Sequence, residues 1–386
     1  MKFIKRLFLG IILLILLAVI GLYASGYGYI VRAVWVTYMH GHQTAYLEDY
    51  KHFDNRTISA GNQKQPWKAA TDYNSVEVTK RLDSVHKTIG SVAFLIIKND
   101  SIWHESYFDG FGKDSKSNSF SMAKSIVTMA LGKAIMEGKI PSLDAKVGTY
   151  FPEFTSGKAA NLTVGDLSSM ASGLDWDEKY YSPFSKTTQA YFDRDLATFM
   201  KSLKVIHDPG TSYQYSSGNT ELLAMCIEKA VGTDLATYVS DKFWKPLGAE
   251  NDALWQTDHE NGLVKAYCCI ASNARDFARF GKLYEHHGNW NGQQLLDSAF
   301  VKKCITPRFP ESPQYGYGWW IFDHDGHQGY YMRGHLGQYV IVIPKDDLII
   351  VRLGHNGNVS DPGELHANDF YVYLEETYKM LSKRKR

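Results

Sequence analysis

Residues 91–98 and 101–108 are strand-like runs joined by Lys98-Asn99-Asp100, a turn signal. Four more strand-like runs, 317–322, 329–333, 338–343 and 348–353, come only after Pro313. Helical patterns occupy 76–89, the run from Ile126 to Ile135, 187–205, 218–231, 234–243, 275–285 and 298–303, and another closes the chain at 365–379. Strands early and late with helices between them suit an α+β fold. In it an antiparallel sheet, flanked by helices, is built from both chain ends, and an all-helical region is inserted in the middle. No internal repeat or low-complexity segment interrupts this order.

Ahead of the fold lies a different kind of segment. Lys2, Lys5 and Arg6 precede an uncharged run from Leu7 to Ala24. As a helix that run is about 27 Å long, close to the hydrocarbon thickness of a bilayer. The basic flank belongs on the cytoplasmic side. The run reads as an uncleaved single-pass anchor in the cell inner membrane, with the rest of the chain on the extracytoplasmic, periplasmic side. A cleaved signal peptide is the competing reading, although Leu22-Tyr23-Ala24 is a poor cleavage site. The expected division is 1–25 for the flank and anchor, 26–74 for an extension wrapping over the main domain, and 75–386 for that domain. Residues 29–38 are expected at the membrane surface.

The balance of 42 Lys+Arg against 41 Asp+Glu offers nothing to attract nucleic acid. The basic tail 383–386 reads as a solvated helix end. Cys226, Cys268, Cys269 and Cys304 lack a metal-ligand spacing. Cys268-Cys269 read as small buried residues, and a disulfide involving Cys226 or Cys304 stays open.

Ser121-Met122-Ala123-Lys124 stands between the first strand pair and an apolar helix. At i, i+3 the serine and lysine share one helix face. A serine hydroxyl needs an adjacent base to act as a nucleophile, and a lysine whose pKa is lowered by burial can be that base. The helix start adds N–H groups and a positive dipole end for a developing oxyanion. The spacing alone is weak, since Ser84-Val85-His86-Lys87 has it too and reads as an exposed helical turn. Two further segments strengthen it. Tyr215-Ser216-Ser217-Gly218-Asn219 precedes a helix and offers a tyrosine to relay a proton, or else a simple N-cap. Arg333-Gly334-His335-Leu336-Gly337-Gln338 lies between two late strands, where glycines let a backbone approach a ligand, or else make a tight hairpin.

Ser-x-x-Lys, then Tyr-Ser-x, then His-x-Gly on a late strand resembles the ordered motif set of the penicillin-recognising serine hydrolases, the β-lactamase/transpeptidase-like fold. The likeness is to the class C β-lactamase branch with its esterases, DD-peptidases and 6-aminohexanoate-dimer hydrolases. Residues 162–176, Asp208-Pro209-Gly210, Trp244-Lys245-Pro246-Leu247-Gly248, 275–281 and Tyr315-Gly316-Tyr317-Gly318-Trp319-Trp320 also resemble that branch. The resemblance implies Ser121 as acylated nucleophile, Lys124 as its base, Tyr215 as proton relay, and the N–H groups of Ser121 and Gln338 as oxyanion hole. Ser217, His335 and Gly337 are the matching substrate-binding positions, with Asn219 as a candidate close to the second motif and Asp175 and Trp319 as candidates from the loops around the cleft.

The third motif carries His335 where many β-lactamases have lysine, and the second carries Ser217 where asparagine is usual. Loss of a fixed ammonium points away from anionic β-lactams and toward a small ester or a linear amide; a DD-peptidase-like role or a catalytically silent, tethered binding protein are the alternatives. The expected partner is a small-molecule or peptide-like substrate, with the membrane as tether, for a monomer. No cofactor is expected, and no metal, because Asp323, His324, Asp325 and His327 fall in a predicted turn.

Overall fold

In the computed structural model, which describes residues 1–384, the early and late strands meet in one sheet. Its seven strands run in the order Trp320–His324, His327–Gly334, Gln338–Ile343, Leu348–Gly354, Ser91–Lys98, Ser101–Tyr107, Lys68–Ala69. Leu348–Gly354 pairs antiparallel with Ser91–Lys98, which joins the two chain ends. Only the Lys68–Ala69 edge is parallel to its neighbour.

The central strands are apolar throughout because both faces are covered. Their alternation sends Phe94, Ile96, Ile341 and Ile350 into a core with Phe370 and Tyr373 of the Asn368–Leu381 helix. It sends Leu95, Ile97, Val340, Val342 and Val351 into the main core with Phe277 and Phe280 of the Ala274–Glu285 helix. A strand from residue 317 was expected, but the strand starts at Trp320. Gly318, at φ +72°, breaks the pleat before it. The helix expected over 187–205 is two, Lys186–Phe192 and Leu196–Ser202, the second capped by Asp195.

A second sheet of four short strands was not foreseen. It orders Asn55–Ile58, Ala253–Gln256, Ile270–Ser272 and Ser117–Asn118. The 26–74 extension therefore contributes a strand to each sheet. Asp49 fastens it further: this buried carboxylate accepts from Tyr191 Oη at 2.6 Å, Gln256 Nε2 at 2.7 Å and Asn118 Nδ2 at 3.1 Å. The C-terminus is fastened too, which corrects the solvated-tail reading for Arg384. Its guanidinium grips Asp72 through bonds of 2.6 and 2.7 Å; Lys385 and Arg386 lie outside the described residues.

Lys2–Ala24 is one helix of 23 residues with none buried, long and apolar enough to cross a membrane. Tyr29–Val36 follows as a short helix whose Tyr29, Ala33 and Val36 are buried against the body of the protein.

Candidate active site

The strand Ser117–Asn118 leads into a single turn, Phe120–Met122, and then into the Ala123–Met136 helix. Phe120 sits at φ +43°, a strained conformation for a bulky residue, with its N–H donated to Asn118 Oδ1 at 2.8 Å. Ser121 follows immediately, half-buried at the head of a cleft. Lys124 lies one turn on and is buried. Its Nζ is 2.8 Å from Ser121 Oγ and 2.8 Å from the Tyr267 carbonyl oxygen. Burial pulls the ammonium down to about 8, with the Glu178 and Glu221 carboxylates opposing. Lys87, in the other S-x-x-K, is exposed and pairs with Asp83 at 2.7 Å.

Tyr215 precedes the Ser217–Val231 helix, and its ring lies 5.1 Å from Lys124 Nζ. Burial raises the phenol's pKa, Glu178 raises it further, and a hydrogen bond with Ser121 opposes them. Near neutral pH the phenol therefore keeps its proton while Lys124 can shed one. That separates a proton donor from a base within one site.

Glu178, three residues beyond Asp175 in the same loop, is the carboxylate that reaches the site. It lines the cleft and accepts from the Ser217 N–H, from Ser217 Oγ at 3.3 Å and from Trp176 Nε1 at 3.1 Å. Glu221 was not foreseen. Its buried carboxylate accepts the Ala266 N–H at 2.7 Å, which fixes the segment whose Tyr267 carbonyl holds Lys124.

The third motif forms the turn between His327–Gly334 and Gln338–Ile343. A Cβ on Gly334 would lie 2.3 Å from the Ser119 carbonyl oxygen, so only glycine lets this strand run beside the turn that carries Ser121. Leu336 and Gly337, at φ +61° and +75°, complete the turn, and Gly337 lines the cleft. His335 stacks on Tyr180 at 5.0 Å, and its pKa falls to about 4 through burial and the nearby Arg333, so it is neutral at pH 7. The Gln338 side chain is spent on the turn, donating to the His335, Leu336 and Gly354 carbonyls and accepting the Gly354 N–H. Gln338 itself is wholly buried and lines neither space beside Ser121.

Three expected contacts are corrected. Trp319 is wholly buried against Tyr284, at 4.2 Å between ring centroids, and Tyr330; the adjacent Trp320 lines the cleft instead. Asn219 faces the interior, where Oδ1 accepts from Ser172 Oγ and Nδ2 points at Met170 Sδ, so it pins the 170–172 loop. Asp175 points to solvent and pairs with Lys186 at 2.6 Å. Arg333, quoted in the motif but given no role there, also lines the cleft. Its guanidinium lies 5.1 Å from the Trp320 ring and makes no ion pair within 4 Å among the described residues. Cys268 and Cys269 form a disulfide, against their reading as separate small residues, while Cys226 and Cys304 are free and buried.

The surroundings of Ser121 divide into two spaces. The cleft just described carries the charged groups, with Glu178, Tyr215, Arg333 and Asn356 on its walls. The other is a pocket with no acidic or basic side chain other than the neutral His335, reaching from Ser121, Phe120 and His335 to Ala33, Thr37 and Tyr38.

Known proteins share this framework. A 6-aminohexanoate-dimer hydrolase from Paenarthrobacter ureafaciens is 27% identical over 290 residues, covering 68% of this chain and 71% of that protein. A Bacillus anthracis protein, whose name ties it to 6-aminohexanoate-dimer hydrolases, superposes with a TM-score of 0.70 at 21% identity, over 87% of this chain and 92% of that one. A family VIII carboxylesterase superposes at 0.61 with 16% identity, over 82% and 99%. At these identities the two structures speak for the fold alone. The family model described as Beta-lactamase matches residues 66–372, which takes in Ser121, Lys124, Tyr215 and His335 together, and the chain belongs to that family.

Proposed function

We propose that this is a membrane-anchored, extracytoplasmic serine hydrolase that opens an ester or a linear amide through an acyl-enzyme. The observation that carries the reading is Lys124 Nζ, buried, lowered to about 8 and 2.8 Å from Ser121 Oγ. Neutral Lys124 takes the Ser121 proton as Oγ attacks the carbonyl carbon. The oxyanion is held by the N–H groups of Ser121 and Gln338. Tyr215 hands a proton to the leaving oxygen or nitrogen, and Lys124 restores it. Water then attacks the acyl-enzyme by the same proton path. His335 and Gly337 contact the substrate from the cleft walls, and Ser217 from the second pocket beside Ser121.

Support for the anchor is the fully exposed Lys2–Ala24 helix and its basic flank; a cleaved signal sequence passes the same test of length and composition. Purified full-length protein labelled with a fluorophosphonate should carry the label on the peptide containing Ser121. Ser121→Ala should lose label and ester turnover together with an unchanged fold. Label that persists in the variant, or maps to Ser84, overturns the assignment. A second reading, a β-lactamase or DD-peptidase-like enzyme, is favoured by one observation: Arg333 offers an uncommitted guanidinium for a substrate carboxylate.

A further inference from the structure

We infer that the acyl group of the substrate is a long apolar chain, drawn from a membrane-resident ester or amide into the pocket beneath the N-terminal segment. The inference rests on the Ser121 hydrolase reading and adds to it the class of substrate and its route.

The pocket is partly enclosed and partly open to solvent. One end is Ser121 and the other is the chain that follows the anchor helix, at Ala33, Thr37, Tyr38, Thr44 and Ala45. Its walls combine aromatic faces, among them Phe120, Tyr180, Tyr191 and Phe192, with hydroxyl groups such as Thr187 and Thr188, and carry no charged side chain. An ionised group placed there would lose water and find no counter-charge, whereas a methylene chain gains from burial against the rings.

Which part of the substrate enters follows from the position of Tyr215. The proton donor to the leaving group lines the charged cleft and is not part of the uncharged pocket. The leaving group therefore departs beside Tyr215, Glu178 and Arg333, and the acyl group stays on the uncharged side. A substrate that fits both spaces is an amphiphile with a polar leaving group and an apolar acyl chain.

The route follows from the roof. Only 25–28 separate the Lys2–Ala24 helix from Tyr29–Val36, so a spanning anchor holds the roof at the bilayer surface. The outer surface here is unusually apolar. Tyr38, Met39, Tyr181 and Phe184 are 63%, 72%, 69% and 67% exposed. Tyr27 meets Phe184 edge-on at 5.5 Å, and Tyr29 Oη donates to the Pro183 carbonyl at 3.1 Å, which joins the extension to the 180s loop at the pocket's mouth. Aromatic side chains gathered beside a membrane helix suit the headgroup layer, where one end of each ring system is wet and the other apolar.

The chemistry balances with water alone as co-reactant. Ser121 Oγ bonds to the acyl carbon as the bond to the leaving oxygen or nitrogen breaks. The serine proton passes through Lys124 and Tyr215 to that atom. Water then releases a free carboxylic acid and restores Ser121.

The test uses full-length protein and p-nitrophenyl esters from acetate to dodecanoate, in detergent micelles and in phosphatidylethanolamine/phosphatidylglycerol vesicles. In micelles kcat/KM should rise at least tenfold from acetate to octanoate. Ala33→Phe should cut the octanoate-to-acetate ratio at least fivefold, and Thr44→Trp, a change in a less buried position, should do the same. In vesicles the dodecanoate should be hydrolysed by the anchored enzyme. A flat chain-length profile with Ser121 still labelled by a fluorophosphonate overturns this inference and leaves the hydrolase reading standing. Absence of both label and turnover overturns both. A steep profile in micelles without turnover of vesicle-borne ester shows a substrate delivered from solution and overturns the membrane route.

Discussion

The pH dependence of acylation is the most direct consequence of where Lys124 sits. An ordinary lysine titrates at 10.5, and burial brings this one to about 8. That difference corresponds to about 3.4 kcal/mol against the charged form. At pH 7 the neutral, base-competent fraction is then about 9%, compared with about 0.03% for an ordinary lysine, a gain of roughly 300-fold. Because the required form is the deprotonated one, activity must rise with pH. In the wild type kcat/KM for a p-nitrophenyl ester, corrected for spontaneous hydrolysis, should climb about fivefold between pH 7 and pH 8 and reach a plateau near pH 9. No falling limb should appear below pH 10, because the Tyr215 phenol is pushed further from ionisation. Glu178→Gln removes a carboxylate that favours the ammonium, so the limb should move to lower pH. A limb near 6.5 would assign the base to a histidine, and a rate still rising at pH 10 would mean that Lys124 is not desolvated; either result refutes this account.

Trp319→Ala should cost about 3–5 kcal/mol of stability in urea unfolding, as expected for a buried tryptophan, while Trp320→Ala should cost far less and raise KM instead. Alkylation of the denatured, unreduced protein should find two thiols, Cys226 and Cys304, and reduction should expose the other pair. Burial lowers His104, His335 and His366 each to about 4, so these three bind more protons unfolded than native between about pH 6.5 and 4, and their share of stability is lost as pH falls. Glu228 and Glu285, raised to about 7 and about 8, act in the opposite sense. Glu228→Gln with Glu285→Gln should therefore make the urea midpoint fall more steeply over that range than in the wild type.

The sequence made the main sheet legible because its strands are long and apolar on both faces, so no choice of register was needed to recognise them. The four-stranded sheet escaped because each of its strands is no longer than four residues and finds its partner in a distant segment. The same difference separates the parts of the site. Ser121 and Lys124 are related by helical spacing, which one short window displays. Asp175, Asn219 and Trp319 were judged by proximity in sequence to the cleft, and side-chain direction decided against all three. A helix that begins at Ser217 keeps that residue on the second pocket beside Ser121 but turns Asn219 inward. The strand that begins at Trp320, one residue beyond Trp319, does the same for the tryptophan pair.

The third motif shows what position-by-position comparison leaves out. A histidine in place of the usual lysine suggested a site without a fixed positive charge, and His335 is indeed held neutral. Yet Arg333 lies two residues earlier, near the end of the His327–Gly334 strand that leads into the turn carrying His335. Its guanidinium lines the cleft, has no ion-pair partner among the described residues, and is one reason that His335 stays uncharged. The positive charge therefore sits two residues before the motif histidine. This places it beside Trp320 and in the same cleft as Tyr215, the side on which the proposed mechanism releases the leaving group. A substrate with a carboxylate or phosphate on its leaving group could use that guanidinium; one with the anion on its acyl part would have to seat it in an aromatic pocket. Neutrality at His335 thus constrains the acyl side of the substrate and says little about the leaving group. The preference first read from the motif, for an uncharged ester or amide, holds for only half of the molecule that the site can accept.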